Sequence, residues 1–275
     1  ALSASTTAVA NTALGHSAGA DLTTGDRNVL VGNIAGSNLT TADDATLIGY
    51  GAGGGAVLTG HDNVGVGTNA LHATTSGASN VAVGRSALEA NTTGYQNTGL
   101  GMRALNSNTT GHSNTATGRD SLYTNTTGVS NAASGMYALY SNTTGNENSA
   151  FGRSALQNNT TATNNTAVGH ETLLLNTTGG SNSALGRKAL RYNTTASNNT
   201  AVGYESLYSA TTGGYNTSTG GASLYTNTTG AYNVANGYGS LKDNTTGVGN
   251  TAMGMYALRR NTTGEGNTGI GWDTL

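Results

Sequence analysis

The four residues Asn91-Thr92-Thr93-Gly94 return as Asn108-Thr109-Thr110-Gly111, as Asn125-Thr126-Thr127-Gly128 and, after further copies, as Asn261-Thr262-Thr263-Gly264, on a beat of seventeen residues. A second anchor keeps the same interval: Asn97-Thr98-Gly99-Leu100-Gly101, Asn114-Thr115-Ala116-Thr117-Gly118, Asn165-Thr166-Ala167-Val168-Gly169 and Asn250-Thr251-Ala252-Met253-Gly254. A strict short period specifies stacked copies of one small unit in place of a globular core.

The unit reads N-T-A-V-G-x-x-A-L-x-x-N-T-T-G-x-x, and the first Asn is taken here as position 1. Units begin at Asn11, Asn28, Ala45, Asn63 and every seventeenth residue thereafter; the single eighteen-residue step, Ala45 to Asn63, contains Gly53-Gly54-Gly55. Residues 1–62 form an atypical first part, with Ala18-Gly19, Ala35-Gly36 and Ala52-Gly53 where the regular part, 63–275, has Ala-Leu. In those early units the leucine comes later, at Leu22, Leu39 and Leu58. The whole is expected to be one continuous solenoid and part of a longer chain.

Glycine and Asn-Thr-Thr interrupt each unit too often for a helical hairpin, and helix-favouring Glu, Lys and Gln are scarce. The segment Asn-Thr-Ala-Val-Gly alternates side-chain size as a short two-faced strand does. A second short strand is expected through Ala-Leu-x-x, with turns at Asn-Thr-Thr-Gly and at the unit boundary. Two strands and two turns make one coil of an all-β parallel β-roll, or β-solenoid. Coils stacked at about 4.8 Å would make sixteen of them about 75 Å long. Like residues then lie over like, and asparagines can pass side-chain hydrogen bonds up the stack. The absence of proline fits a backbone whose N–H groups are used in ladders.

Alanines such as Ala116, Ala133, Ala150 and Ala167 suit a narrow interior. The leucine column (Leu105, Leu122, Leu139, Leu156, Leu173, Leu190, Leu207, Leu224, Leu241 and Leu258) and the Val/Leu/Ile column of the strand are too bulky to share it. A leucine ridge in water would be a long apolar stripe, so these leucines are expected to be the contacts of a homotrimer.

Asn-Thr-Ala-Val-Gly, Ala-Leu and Asn-Thr-Thr-Gly together resemble the repeats of trimeric fibre proteins: bacteriophage tail fibres and bacterial surface fibres. They are also similar to the β-roll head of trimeric autotransporter adhesins, whose unit is shorter. The resemblance covers essentially the whole chain. It implies a homotrimeric extracellular fibre, on a phage virion tail or a bacterial surface, that attaches to a host or prey cell surface.

Composition limits the other classes. Apolar residues are 35% of the chain, with one Phe and one Trp, so no wide interior can be filled. Charged residues are 9% and the formal net charge is −2, which points away from nucleic acid. Cysteine is absent, which excludes disulfides and thiolate chemistry. No apolar run approaches the length that would insert in a membrane. His16, His61, His72, His112 and His170 fall at scattered points of the repeat with no recurring carboxylate, so neither a catalytic site nor a metal or other cofactor is expected. Asp21, Asp26, Asp43, Asp44 and Asp62 do not recur each coil as calcium-binding rolls require, and read as turn formers.

Tyrosine carries the candidate binding surface. Tyr123, Tyr140, Tyr208 and Tyr225 follow the ladder leucine and form one column; Tyr137, Tyr204, Tyr238 and Tyr256 occupy the two variable positions after the strand glycine. Rings on a polar rod can stack on sugar faces; the competing role is packing against neighbouring coils. Arg85, Arg103, Arg119, Arg153, Arg187 and Lys188 share those variable positions and mark a water-facing edge. The paired threonines support an alternative, an ice-binding solenoid presenting threonine ladders. Asn-Thr-Thr is also a glycosylation sequon.

Overall fold

The computed structural model describes residues 1–274, which fall into two compact units, Ala1–Thr144 and the residues from Gly145 onward. Each is a parallel β-solenoid. The first unit carries β1 (Thr12–Leu14), β2 (Val29–Val31), β3 (Thr46–Ile48), β4 (Val64–Val66), β5 (Val81–Val83), β6 (Thr98–Leu100), β7 (Thr115–Thr117) and β8 (Ala132–Ser134). The second carries β9 (Ser149–Phe151), β10 (Thr166–Val168), β11 (Ser183–Leu185), β12 (Thr200–Val202), β13 (Thr217–Thr219), β14 (Val234–Asn236), β15 (Thr251–Met253) and β16 (Thr268–Ile270). Every strand is positions 2–4 of its sequence unit, and like pairs with like. Between β6 and β7, Thr98 faces Thr115, Gly99 faces Ala116 and Leu100 faces Thr117.

Each coil has one strand, not two. Through Ala-Leu-x-x the chain turns, because Ala104 and Leu105 are both fully buried. Neighbours in an extended strand point to opposite faces. Placing both inside requires a left-handed residue, and Leu105 lies at φ +52°. The same holds at Leu122, Leu139, Leu156, Leu173, Leu190, Leu207, Leu224, Leu241 and Leu258, whose φ values run from +47° to +51°. The turn still bonds to the adjacent coils: Leu105 N–H donates to Ser121 O at 3.0 Å and Arg103 N–H to Arg85 O at 2.9 Å.

The leucine column is therefore the core of each coil. Leu105 through Leu241 have no exposed surface and Leu258 is 6% exposed. The expectation of a leucine seam between chains is corrected: one chain alone covers these side chains. A left-handed conformation costs about 1–2 kcal/mol for an L-residue, while burying a leucine contributes about 1.5–3 kcal/mol. Burial offsets the strain.

Room for the leucine comes from the small residue at position 3. The atypical coils solve the same volume problem in reverse. In the two coils from Asn28 and Ala45 position 3 is large (Leu30, Leu47), and position 9 is glycine in all three (the first has Ala13 at position 3). A Cβ on Gly19 would come within 2.7 Å of Leu30 Cδ1, and one on Gly53 within 2.6 Å of Leu47 Cδ1. Glycine also removes the conformational cost at φ +54° to +59°. The change between residues 1–62 and the later coils is thus a swap of packing inside one architecture.

Two buried asparagine ladders complete the interior. At position 1, Asn80 donates from its backbone N–H and from Nδ2 to Asn63 Oδ1 (3.0 and 3.1 Å), and from Nδ2 to Gly94 O at 2.9 Å. At position 12, Asn108 Nδ2 donates to Asn91 Oδ1 and to Gly111 O, both at 2.9 Å. Side-chain amides thereby satisfy groups that a narrow coil removes from water.

Candidate functional site

Every Lys, Arg, Asp and Glu in the chain falls at position 6, 7, 10, 11, 16 or the last position of its unit. Positions 2 and 4, the two outward columns of the strands, carry none in all sixteen units. Position 4 instead exposes apolar side chains, among them Leu100 (38% exposed), Phe151 (45%) and Leu185 (50%). Each compact unit thus has a charge-free sheet face and a charged corner at positions 6, 7, 10 and 11. That corner holds ten of the eleven basic residues and ten of the thirteen tyrosines.

In the first unit Tyr123 and Tyr140 stack at 5.2 Å between centroids, and Tyr137 meets Tyr140 edge-on at 5.6 Å. Arg103 lies over Tyr123 and Arg119 over Tyr137, each 5.2 Å from the centroid. Asp120, fully buried, sits beneath both arginines. Arg103 Nη2 donates to its Oδ2 at 2.9 Å. Nε approaches Oδ1 to 2.7 Å without hydrogen-bond geometry, so that second contact is ionic only. The hydrogen bond and charge of Asp120 raise the pKa of Arg103.

The second unit repeats the pattern. Tyr208 and Tyr225 stack at 5.0 Å, and Tyr192 meets Tyr208 edge-on at 5.1 Å. Arg191 bridges Glu171 Oε2 (3.0 Å) and the Tyr192 hydroxyl (2.7 Å). Burial raises the pKa of Tyr208 and Tyr225, and a hydrogen bond with Glu205 raises that of Tyr204. Further along, Tyr238 and Tyr256 form an edge-on pair at 5.5 Å, with Arg259 over Tyr256.

All eight tyrosines singled out from the sequence therefore lie on this corner, but in two environments. The position-10 rings turn faces to one another. Tyr204 and Tyr238, 51% and 53% exposed, show more of their surface, Tyr204 with Arg187 over its ring and Tyr238 edge-on to Tyr256. Sequence reasoning missed Glu171, Arg191, Tyr192 and Arg259; their unit positions were the available signal. Two further stacks, Tyr95 with His112 and Tyr215 with Tyr232, lie at positions 16 and 17.

The threonines divide as well. Position-13 hydroxyls donate to the next coil's carbonyl, as Thr109 Oγ1 does to Thr126 O at 3.0 Å, while position-14 threonines such as Thr110 face water. The sequon asparagines are inside the coil with their amide protons engaged, so the folded chain offers no Nδ2 to a glycan at Asn108 or Asn125. Asp26 and Asp43 accept backbone N–H groups of Val9 and Asp26 at 2.8 and 2.7 Å, bonds between adjacent coils seventeen residues apart. Among the described residues no cluster of three or more His, Cys, Asp or Glu could hold a metal ion.

These features define a parallel β-solenoid with a charge-free sheet face and an Arg/Tyr-lined corner. Comparison with protein-family models and with curated protein sequences finds no match.

Proposed function

We propose that this chain is a segment of a non-enzymatic structural and adhesive fibre, the shaft or head of a phage tail fibre or bacterial surface adhesin, assembled as a homotrimer outside the cell. The carrying observation is the separation of its outward surfaces. A charge-free face with an apolar column suits association with further copies of the same chain, whose coils repeat at the same spacing. The Arg/Tyr corner then remains outward to meet a cell surface or glycan, with repeated weak contacts adding by avidity.

In this reading position 4 of the strands, not the leucine column, faces the common axis. Light scattering on the purified chain is expected to give three times the monomer mass. Leu100→Lys with Leu185→Lys is expected to release monomers that keep their β-structure. A wild-type monomer at every concentration would overturn the assembly.

One observation favours an ice-binding alternative: position-2 threonines such as Thr115, Thr166 and Thr200 are outward on a parallel sheet. Thermal hysteresis by the purified chain would select it over the fibre.

A further inference from the structure

Arg85, Arg119, Arg153 and Arg187 recur at position 6 with an interval of thirty-four residues, two units of the repeat. In the first unit Arg85 and Arg119 stand two coils apart, and in the second Arg153 and Arg187 do the same. At about 4.8 Å per coil each pair is about 9.6 Å apart at the backbone. The coils between them place Met102 and His170 in that column.

The nearby carboxylates are already engaged: Asp120 by Arg103 and Arg119, Glu171 by Arg191, and Glu205 by Lys188. Among the described residues, Arg85, Arg153 and Arg187 form no ion pair. Arg119 and Arg187 each lie over a tyrosine of the next coil, Tyr137 and Tyr204. A ring behind a guanidinium restrains it without neutralising its charge, so Arg187 keeps a free charge, while Arg119 shares its own with Asp120.

We propose that the arginine column within each compact unit binds a linear acidic polysaccharide bearing one carboxylate on every second sugar. In an extended chain of equatorially linked pyranoses, one sugar advances by about the rise of one coil, about 4.8 Å. A carboxylate on alternate sugars therefore recurs at the arginine interval, and each can be taken by a planar guanidinium. Nucleic acid fits less well: along a duplex each strand carries a charge about every 3.4 Å, far denser than this column. The inference rests on the glycan-attachment reading of the corner and specifies its ligand.

The test is calorimetric titration of the full chain at low salt with hyaluronan oligosaccharides, in which glucuronate alternates with a neutral sugar. Dextran, oligogalacturonate with a carboxylate on every sugar, and single-stranded DNA serve as comparisons. Hyaluronan is expected to bind most tightly. Replacing Arg85, Arg153 and Arg187 by glutamine, with Arg119 left on the buried Asp120, is expected to weaken it about tenfold or more, with an unchanged thermal melt, while Arg27→Gln on the other edge leaves it unaltered. Equal affinity for hyaluronan in the threefold variant, or tighter binding of DNA or oligogalacturonate, would overturn the proposal. Binding of dextran as tightly as hyaluronan, lost in Tyr204→Ala, would overturn it while leaving glycan attachment standing. Failure to bind any sugar would overturn it too; attachment of the rod to whole cells then shows whether the adhesive reading survives.

Discussion

A leucine at φ +52° is an unusual core residue, and here it recurs in coil after coil. Position 17 carries the same left-handed backbone on side chains that bury little, as at Ser79 (φ +57°), which is exposed. There nothing offsets the strain, so Ser79→Gly is expected to raise stability by about 0.5–1 kcal/mol, read from a urea midpoint. The position-5 glycine is the opposite case. Gly101 has φ +137°, and a Cβ on it would meet the C and O of Gly118 at 2.7 Å. Because backbone cannot swing aside as a side chain can, Gly101→Ala is expected to cost about 3 kcal/mol or more. The glycine requirement was legible as a recurring Gly after each strand. The left-handed leucine was not, since a residue with a Cβ gives no sign of φ and the Ala-Leu pair reads equally well as a strand.

At the scale of the coil, the asparagine ladders show where the repeat matters most. Ala210 interrupts the position-12 ladder, and Asn193 Oδ1 below it is buried without a hydrogen-bond partner. Ala210→Asn would supply the missing amide, with a gain of about 1 kcal/mol expected in equilibrium unfolding. A loss would mean the column cannot hold the larger side chain. The tyrosine corner of the second unit has its own signature. Tyr208 and Tyr225 have pKa values raised by burial, so the neutral ring is the form favoured by folding. Their contribution is complete below about pH 10, the unfolded value, and disappears as pH rises through the raised folded values. Melting followed by circular dichroism should weaken on that alkaline side, and absorbance at the phenolate band should show late-titrating tyrosines. The asparagine columns were visible in the sequence because identity at a fixed interval is itself the ladder. The contacts among Glu171, Arg191 and Tyr192 were not, because positions 7, 10 and 11 meet only after the turn is known.

Across the whole molecule, one fixed coil turns a one-dimensional pattern into separate surfaces. Charge confined to a few unit positions becomes a charged corner and edge, and the charge-free strand positions become a face. The period, the parallel pairing and the interior place of Ala116 and its equivalents could be read before any coordinates. The core could not be assigned fully, because whether Leu105 or Leu100 points inward depends on the turn and not on hydrophobicity. Everything above depends on each Asn-to-Asn interval advancing the chain by one coil. The chain has no cysteine, so spin labels can be placed in pairs without background. With Thr178→Cys held fixed and the partner moved from Thr229→Cys to Thr246→Cys to Thr263→Cys, electron–electron distances within the second unit should rise in even steps of about 4.8 Å, to about 24 Å for the last pair. Distances that stay level, or that jump irregularly as the partner moves along the repeat, would contradict the stacked-coil account.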